Sequence, residues 1–280
     1  MAEFRQAEAV LEARLSEPRI VLRIEERREG RIARLEVDRP QKLNVLDRAL
    51  MRALAERLAA LAADETLRVV VLSGTGERAF IGGADIAEMA TLDPQSARSF
   101  IAELHRVCAG LRALPVPVIA SIRGYALGAG LEIAASCDLR IAAEDASFGM
   151  PEVRVGIPSV IEAAILPMLI GWGRTRRLLL TGETIDASTA ERWGLVERVA
   201  QAGELEGAVE ETVALILACG PQAVRRQKAL MREWEELTLA RAIERGIDAF
   251  SDSFLGEEPR RRMEDFLAAA ERRKRARRPA

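Results

Sequence analysis

Gly124-Tyr-Ala-Leu-Gly-Ala-Gly-Leu-Glu132 is a glycine-rich turn that leads into a short helix. Apolar residues around Glu132, namely Leu131 and Ile133, give that helix one buried face. At the start of a helix the first N–H groups lack partners within the helix, and the dipole favours negative charge. The Ala129 N–H is therefore a candidate donor to an oxyanion. The glycine spacing matches neither a dinucleotide-binding turn nor a phosphate-binding loop.

The segments on both sides of this turn predict an α/β fold. Short, continuous apolar runs of this kind are typical of strands that are buried on both faces. Val69 to Leu72 is such a run, and Val118 to Ile122, Leu139 to Ala142 and Val196 to Val199 are predicted as further strands. A helical pattern from Ser96 to Leu114 separates the first two. This alternation favours a largely parallel sheet.

The two ends of the chain have a different organisation. Ile20 to Ile24 and Ile32 to Val37 predict a β-hairpin. From about Leu205 onward, three consecutive segments have helical patterns, and they form either a packing layer or an oligomer interface. We therefore predict an α/β core over 18–200, a helical region over 201–270, and extensions at 1–17 and 271–280.

Composition and charge exclude several classes of protein. The 280 residues are 49% hydrophobic and 30% charged, which is typical of a globular protein. A formal net charge of −2 gives no overall attraction to nucleic acid or to a membrane. The cysteines Cys108, Cys137 and Cys219 lie in apolar contexts without metal-ligand spacing, so we expect core thiols, no metal and a cytoplasmic location. No membrane span or signal peptide is predicted.

Two glutamates are the candidate catalytic residues. Glu132 ends the glycine-rich turn, and Glu152 follows Ser147-Phe-Gly-Met-Pro151. Two carboxylates that face one cavity can divide the acid and base roles of a proton transfer. Alternatively, Glu132 caps its own helix and Glu152 faces solvent. Their apolar neighbours favour partial burial, which would raise a carboxyl pKa.

A second turn, Ala79-Phe-Ile-Gly-Gly-Ala-Asp-Ile-Ala-Glu-Met89, offers another backbone donor. Its two glycines allow close approach to a ligand, so the Ala84 N–H could face the Ala129 N–H across a carbonyl oxygen. Alternatively, the segment is a plain connection between a strand and a helix, with Asp85 as the N-cap. The turn considered by itself favours the plain connection.

An ordered set of motifs resembles the enoyl-CoA hydratase/isomerase, or crotonase, family. The resemblance extends over roughly Ile20 to Phe266, and the order of the motifs is more specific than any single turn. The motifs are Arg39-Pro-Gln-Lys-Leu-Asn-Val-Leu46, Gly82-Gly-Ala-Asp-Ile86, the Gly124 to Glu132 turn, Cys137-Asp-Leu139, Phe148-Gly-Met-Pro-Glu152, Leu179-Leu-Thr-Gly-Glu183 and Ala190-Glu-Arg-Trp-Gly-Leu-Val196.

The resemblance implies a fold of repeated ββα turns whose C-terminal helices mediate trimers, often paired into hexamers. It implies that the N–H groups of Ala84 and Ala129 form an oxyanion hole for an acyl-CoA thioester. Further positions match CoA contacts of the family, with CoA as part of the substrate and no separate cofactor. These positions are Lys42, Leu43, Gly82 and Ile86.

The resemblance also implies a reaction. Glu132 and Glu152 match the two glutamates of the hydratases, whereas several relatives keep one or neither. Glu132 would help activate water that attacks the β-carbon of a 2-enoyl-CoA, and Glu152 would give a proton to the α-carbon. The alternatives are an enoyl-CoA isomerase or acyl-CoA hydrolase, or a non-catalytic acyl-CoA or RNA-binding scaffold with the basic segment Arg272 to Arg278 as its motivation.

The chain departs from the family pattern at three places. Ala129 replaces the middle of three common glycines, and the segment Gly156-Ile-Pro-Ser-Val-Ile-Glu162 replaces a glycine-rich loop. Glu162 adds a carboxylate, either as a plain helix residue, which the pattern favours, or as a group that retunes the acid–base pair. His105, the only histidine, is not expected to be catalytic, because no orienting partner is evident in the sequence.

Overall fold

The computed structural model describes residues 18–201 and 203–276. These residues fall into two compact units that divide between Val213 and Ala214. The predicted extension 1–17 and the end of the basic segment, 277–280, lie outside the described residues. The predicted functional division at residue 200 stays a prediction.

The strands form two sheets. The first sheet has six strands in the order β1-β2-β3-β5-β7-β10, and the second has four in the order β4-β6-β8-β9. The strands are β1 (Arg19–Arg27), β2 (Gly30–Asp38), β3 (Leu67–Gly74), β4 (Ala79–Ile81), β5 (Val118–Ile122), β6 (Tyr125–Leu127), β7 (Leu139–Ala143), β8 (Ser147–Gly149), β9 (Thr184–Asp186) and β10 (Arg198–Ala200).

The first sheet confirms the predicted hairpin and the buried strands. β1 and β2 pair antiparallel, with Arg27 opposite Gly30, and the remaining neighbours in this sheet pair parallel. Every residue of β5 is buried, including the polar Ser121, in agreement with the predicted buried strand. The apolar core therefore surrounds the middle of the sheet.

The chain passes repeatedly from the first sheet to the second and then into a helix. β3 is followed by β4, β5 by β6, and β7 by β8, so each pair places one strand in each sheet. This alternation is the repeated ββα arrangement, and it confirms the predicted fold class. The short strands of the second sheet were missed in the sequence because three residues are too few to show a period.

The helices are numbered in chain order. They are α1 (Arg48–Ala62), α2 (Ile86–Met89), α3 (Pro94–Ala113), α4 (Ala129–Ala135), α5 (Leu166–Thr181), α6 (Ala187–Trp193), α7 (Leu205–Ala218), α8 (Pro221–Trp234), α9 (Leu239–Ser253) and α10 (Glu258–Ala276). Short 3-10 turns are at Pro40–Lys42, Pro151–Val155 and Ile161–Ile165.

Local sequence explains where the first helices begin. The Asp47 side chain accepts a hydrogen bond from the Leu50 N–H and caps α1. Asp93 caps α3 in the same way by accepting from the Ser96 N–H, its own backbone N–H donates in return to the Ser96 hydroxyl, and Pro94 occupies the first turn. Leucines on α1 and on α3 pack into the core, as their helical spacing predicts.

The unit from residue 214 onward is helical in its described residues. Helix α9 has four large apolar side chains on one face, at spacings of three or four residues. Leu239, Ile243, Ile247 and Phe250 are each more than half exposed in the single chain. An exposed apolar face of this kind is typical of an interaction surface.

Two expectations about side chains require correction. Cys108 and Cys137 are buried, as expected, but Cys219 is exposed at the C-terminal end of α7 and is not a core thiol. Glu162 is not a plain helix residue, because it lies in the 3-10 turn Ile161–Ile165 and is buried. The basic segment that begins at Arg272 is helical as far as Ala276.

Candidate active site

A cavity of about 630 Å³ lies where the second sheet meets α2, α3 and α4. Its walls include Gly82, Ala84, Ala129, Glu132 and Glu152, which come from segments that are distant in the sequence. Apolar side chains form much of the remaining wall, including those of Met89, Leu92, Phe100, Ile101 and Leu104. A deep apolar cavity with a few converging polar groups is typical of a small-molecule site.

Glu132 lies in the first turn of α4, and only 4% of it is exposed. Its Oε1 accepts a hydrogen bond of 3.1 Å from the Ala163 N–H, so the carboxyl group does not cap its own helix. Burial raises the pKa of Glu132, and this effect outweighs the opposing hydrogen bond from Ala163. The negative charges of Glu152 and Glu162 raise the pKa further, to about 8.

Glu152 lies in the 3-10 turn Pro151–Val155 and is half-buried beside Gly128. The Ser159 hydroxyl donates to Oε2 of Glu152 over 2.8 Å. Gly128 has a φ of 51° and a ψ of −117°, which residues with a side chain rarely adopt. A Cβ at this residue would overlap Oε1 of Glu152, so glycine allows the second carboxylate to reach the cavity.

The two candidate N–H donors also lie in the cavity wall. Neither the Ala84 nor the Ala129 N–H donates to a carbonyl group of the described residues. Ala129 is the first residue of α4, where the N–H groups point out of the helix. Both donors are therefore positioned on segments that border the two carboxylates.

Hydrogen bonds on both sides of Ala84 hold its segment in place. The Leu46 N–H donates to the Gly83 carbonyl at 2.9 Å, and the Asp85 N–H donates to the Leu46 carbonyl at 2.8 Å. Asp85 caps α2 through the Ala87 N–H, as the plain interpretation of this turn predicts. The segment is thus a connection between a strand and a helix with Asp85 as the N-cap, and it also places Ala84 in the wall of the cavity.

An ion pair supports the same segment from behind. Arg39 is buried, and its Nη1 lies 3.1 Å from Oδ2 of Asp85. Burial opposes ionisation of Asp85, but hydrogen bonds from the Ala87 and Glu88 N–H groups and the charges of Arg39 and Lys42 lower its pKa. The charged Asp85 therefore helps to hold the turn that precedes α2.

The predicted CoA contacts divide into two groups. Gly82 and Ile86 lie in the cavity wall, and Ile86 is largely exposed there. Leu43 lies behind this wall, where its carbonyl accepts a 2.8 Å hydrogen bond from the Gly82 N–H. Lys42 is exposed beside the same turn, with its Nζ 3.8 Å from Asp85. All four residues thus lie near one end of the cavity.

The sequence interpretation missed three partners of the glutamates. The contacts of Ser159 with Glu152 and of Ala163 with Glu132 were not predicted. His105 was set aside, but its Nδ1 lies 2.8 Å from Oε1 of Glu162. The unusual segment Gly156 to Glu162 was the available signal for two of them, because Ser159 lies in it and Ala163 follows it.

Neither a metal-ligand cluster nor a membrane-spanning helix is found in the described ranges. Within 18–201 and 203–276, no three His, Cys, Asp or Glu side chains converge as a metal site requires. None of the helices in these ranges has both the length and the apolar character needed to cross a membrane. The expectation that no cofactor is needed stays a prediction.

The geometry of the cavity suits proton transfer next to a polarised carbonyl group. One carboxyl group is buried with a pKa of about 8, the other is half-buried, and Ala84 and Ala129, which carry the two candidate N–H donors, line the same cavity. A pKa near the pH at which an enzyme works is favourable for a general acid or base. N–H donors in such a wall can stabilise a developing oxyanion.

Comparison with known proteins identifies what this arrangement is similar to. The family model described as Enoyl-CoA hydratase/isomerase matches residues 27–276. The chain is 37% identical to the crotonyl-CoA hydratase of Syntrophomonas wolfei, over 86% of this chain and 93% of that protein. It is 34% identical to the short-chain-enoyl-CoA hydratase of Clostridium acetobutylicum, over 86% and 92%.

Solved structures show the same likeness. An enoyl-CoA hydratase from Bacillus anthracis superposes with a TM-score of 0.82 at 32% identity, over 90% of this chain and 96% of that one. An enoyl-CoA hydratase from Mycobacterium smegmatis gives a TM-score of 0.84 at 31% identity, over 89% and 96%.

Proposed function

This chain belongs to the enoyl-CoA hydratase/isomerase family and is an enoyl-CoA hydratase, and we propose that Glu132 and Glu152 are its acid–base pair. The reaction is the reversible addition of water across the double bond of a 2-enoyl-CoA. The main supporting observation is that both carboxyl groups lie in the wall of one cavity together with Ala84 and Ala129.

In the proposed mechanism the thioester oxygen binds between the N–H groups of Ala84 and Ala129. Water attacks the β-carbon while Glu132 accepts its proton, and Glu152 gives a proton to the α-carbon. Negative charge develops on the thioester oxygen, and the two N–H groups stabilise it. Loss of one such donor costs about 3 to 4 kcal/mol in other oxyanion holes.

The pair needs one proton at the start of the reaction. Because the pKa of Glu132 is about 8, this carboxyl group holds a proton at neutral pH in the free enzyme. In the reacting arrangement the proton is on Glu152 and Glu132 is ionised. The substrate water, held between the two groups, can pass the proton from one to the other, so both arrangements contain the same single proton.

The CoA moiety is proposed to bind at the end of the cavity near Gly82 and Ile86, with Lys42 and Leu43 beside them. Gly82 and Ile86 lie in the cavity wall, which supports this placement. The ammonium group of Lys42 is exposed and could pair with a phosphate of CoA. No cofactor besides the substrate is part of this proposal.

A turnover assay tests the proposal. The wild type should remove the conjugated enoyl thioester absorbance of crotonyl-CoA. Glu132→Gln and Glu152→Gln should each lower kcat by roughly 100-fold or more while binding of the CoA ester persists, because each keeps its shape but loses its acid–base function. Glu77→Gln, at an exposed ion pair with Arg123, is the matched control.

Two outcomes would contradict the proposal. Wild-type enzyme that leaves crotonyl-CoA and longer 2-enoyl-CoA substrates unchanged, but shifts the double bond of a 3-enoyl-CoA, would support the isomerase instead. Full activity of either glutamine variant would remove that glutamate from the mechanism.

We also propose that the chain forms trimers or hexamers and acts in the cytoplasm. The exposed apolar face of α9 supports an oligomer, since such a face is unfavourable in water. The likeness to bacterial enoyl-CoA hydratases supports the cytoplasm. Sedimentation of the purified protein and fractionation of cells would test the two statements separately.

A further inference from the structure

A third carboxyl group lies behind the acid–base pair, outside the cavity wall. Only 5% of the Glu162 side chain is exposed, and its Oε1 lies 2.8 Å from Nδ1 of His105. Among the described residues, its Oε2 is buried without a hydrogen-bond partner. A buried carboxylate costs free energy unless it is paired, so a structural or functional reason for it is expected.

His105 anchors this carboxylate to α3. The imidazole is 57% exposed, so it reaches from solvent to a group that is itself buried. The residue thus joins α3 to the turn Ile161–Ile165 across 57 residues of sequence. This contact restrains the turn on the side away from the substrate cavity.

The turn has a strained backbone next to the Glu132 contact. Ile161 has a φ of 40°, which is unfavourable for a β-branched residue. Two residues later, the Ala163 N–H donates to Oε1 of Glu132. A strained conformation persists only where the surrounding contacts determine it, and the bond from Glu162 to His105 is such a contact.

Charge provides a second connection between Glu162 and Glu132. The titratable groups that face Glu162 are His105 and Cys108 from α3 and Glu132 from α4. Cys108 is buried, and its thiol stays neutral because its pKa is raised, mainly by burial and to a smaller extent by the charge of Glu162. Glu132 is therefore the catalytic group on which the charge of Glu162 acts.

We propose that Glu162 is a positioning residue for hydration, which orients Glu132 through the Ala163 N–H, with His105 as the anchor of Glu162. This inference rests on the proposed role of Glu132. Glu162 touches no substrate, because it lies outside the cavity wall. Its replacement should therefore change kcat and the pH profile and leave KM nearly unchanged.

The test compares Glu162→Gln and His105→Ala with wild type in crotonyl-CoA hydration from pH 6 to 9.5. Glu162→Gln should lower kcat roughly tenfold and move the alkaline limb to lower pH by roughly half a unit, because a like charge near Glu132 is removed. His105→Ala should lower kcat severalfold, because the turn is no longer anchored. KM should change less than twofold in both variants.

Glu103→Gln is the matched control, because Glu103 also lies on α3 but pairs with Arg52 and Arg106. Glu103→Gln should leave kcat and its pH profile unchanged. If Glu162→Gln does not fold, His105→Ala still tests the anchor, and wild-type kcat in that variant would overturn the inference. An unshifted alkaline limb and unchanged kcat in folded Glu162→Gln would overturn it as well.

The same data separate this inference from the proposed function. If Glu132→Gln is inactive and Glu162→Gln behaves as wild type, only the positioning role is wrong. If Glu132→Gln is fully active, the acid–base assignment is wrong, and the positioning role is wrong with it.

Discussion

Gly128 faces the carboxylate of Glu152 so closely that a Cβ at this residue would overlap Oε1. Gly128 immediately precedes α4, so the N-cap residue of the Glu132 helix also makes room for the second glutamate. The relative position of the two carboxyl groups therefore depends on one glycine.

Gly128→Ala should abolish most of the activity. Its backbone has a φ of 51°, so an alanine would be strained by roughly 1 to 3 kcal/mol and would also displace Glu152. We expect kcat for crotonyl-CoA to fall by roughly 100-fold or more, since small misplacements of reacting groups have large effects.

Gly171→Ala is the control, because Gly171 also has a positive φ, of 77°, but a Cβ there meets no atom within 4 Å. Equal losses of kcat in the two variants would show that strain alone is responsible.

Turnover should decrease as the pH rises through about 8. Glu132 has a pKa of about 8, and above this pH the pair loses the proton that hydration requires. The measurement is kcat/KM for crotonyl-CoA from pH 6 to 9.5 at constant ionic strength. A rate that keeps rising through pH 9 would mean that the ionised pair is the active form.

Glu132→Gln should stabilise the fold in a pH-dependent way. The pKa of Glu132 is raised from 4.5 to about 8 in the folded chain, so the folded chain binds this proton more tightly than the unfolded chain. The stability that proton binding at Glu132 contributes is therefore fully present below pH 4.5 and is lost as the pH rises toward 8. At about 1.4 kcal/mol per pKa unit, the free energy of unfolding of the variant should exceed that of wild type by roughly 3 kcal/mol at pH 7 and by little at pH 4.5.

Urea unfolding at pH 4.5, 6, 7 and 8 and at one protein concentration measures this difference. Glu77→Gln, whose carboxylate is exposed, should show no such trend. A stability difference for Glu132→Gln that is the same at every pH would contradict the raised pKa.

Ser159→Ala should impair catalysis without preventing substrate binding. The Ser159 hydroxyl donates to Oε2 of Glu152, and a hydrogen bond to a carboxylate is typically stronger than one between neutral groups. We expect kcat to fall roughly tenfold, with KM nearly unchanged. Ser188→Ala is the control, because that hydroxyl donates over 3.0 Å to Asp186 at the start of α6, which is not in the cavity wall. A similar effect of both substitutions on kcat would exclude a specific role for Ser159.

The sequence predicted much of the first sheet and the helices from local features. The buried strand at 118–122 was predicted with its bounds, because a short, mostly apolar and β-branched segment after Pro117 and before Gly124 is typical of a strand. Asp85 was predicted as an N-cap and is one. The three-residue strands of the second sheet were missed, because such short segments owe their structure to pairing with distant strands.

The candidate site was predicted less completely than the fold. Glu132, Glu152, Ala84 and Ala129 were identified from motifs, and the structure brings them to one cavity. The partners of the glutamates were not predicted, since Ala163 is 31 residues from Glu132 and His105 is 57 residues from Glu162. Their hydrogen bonds depend on how α3, α4 and the turn Ile161–Ile165 pack together.

The amino-acid sequence by itself determined the family, the positions of the buried strands along the chain and the two candidate glutamates, because these follow from local patterns and motif order. Only the tertiary structure decided which carboxyl group is buried and which groups hold it. A carboxyl group becomes a proton carrier near neutral pH through desolvation and neighbouring charge, and both are properties of its surroundings in space.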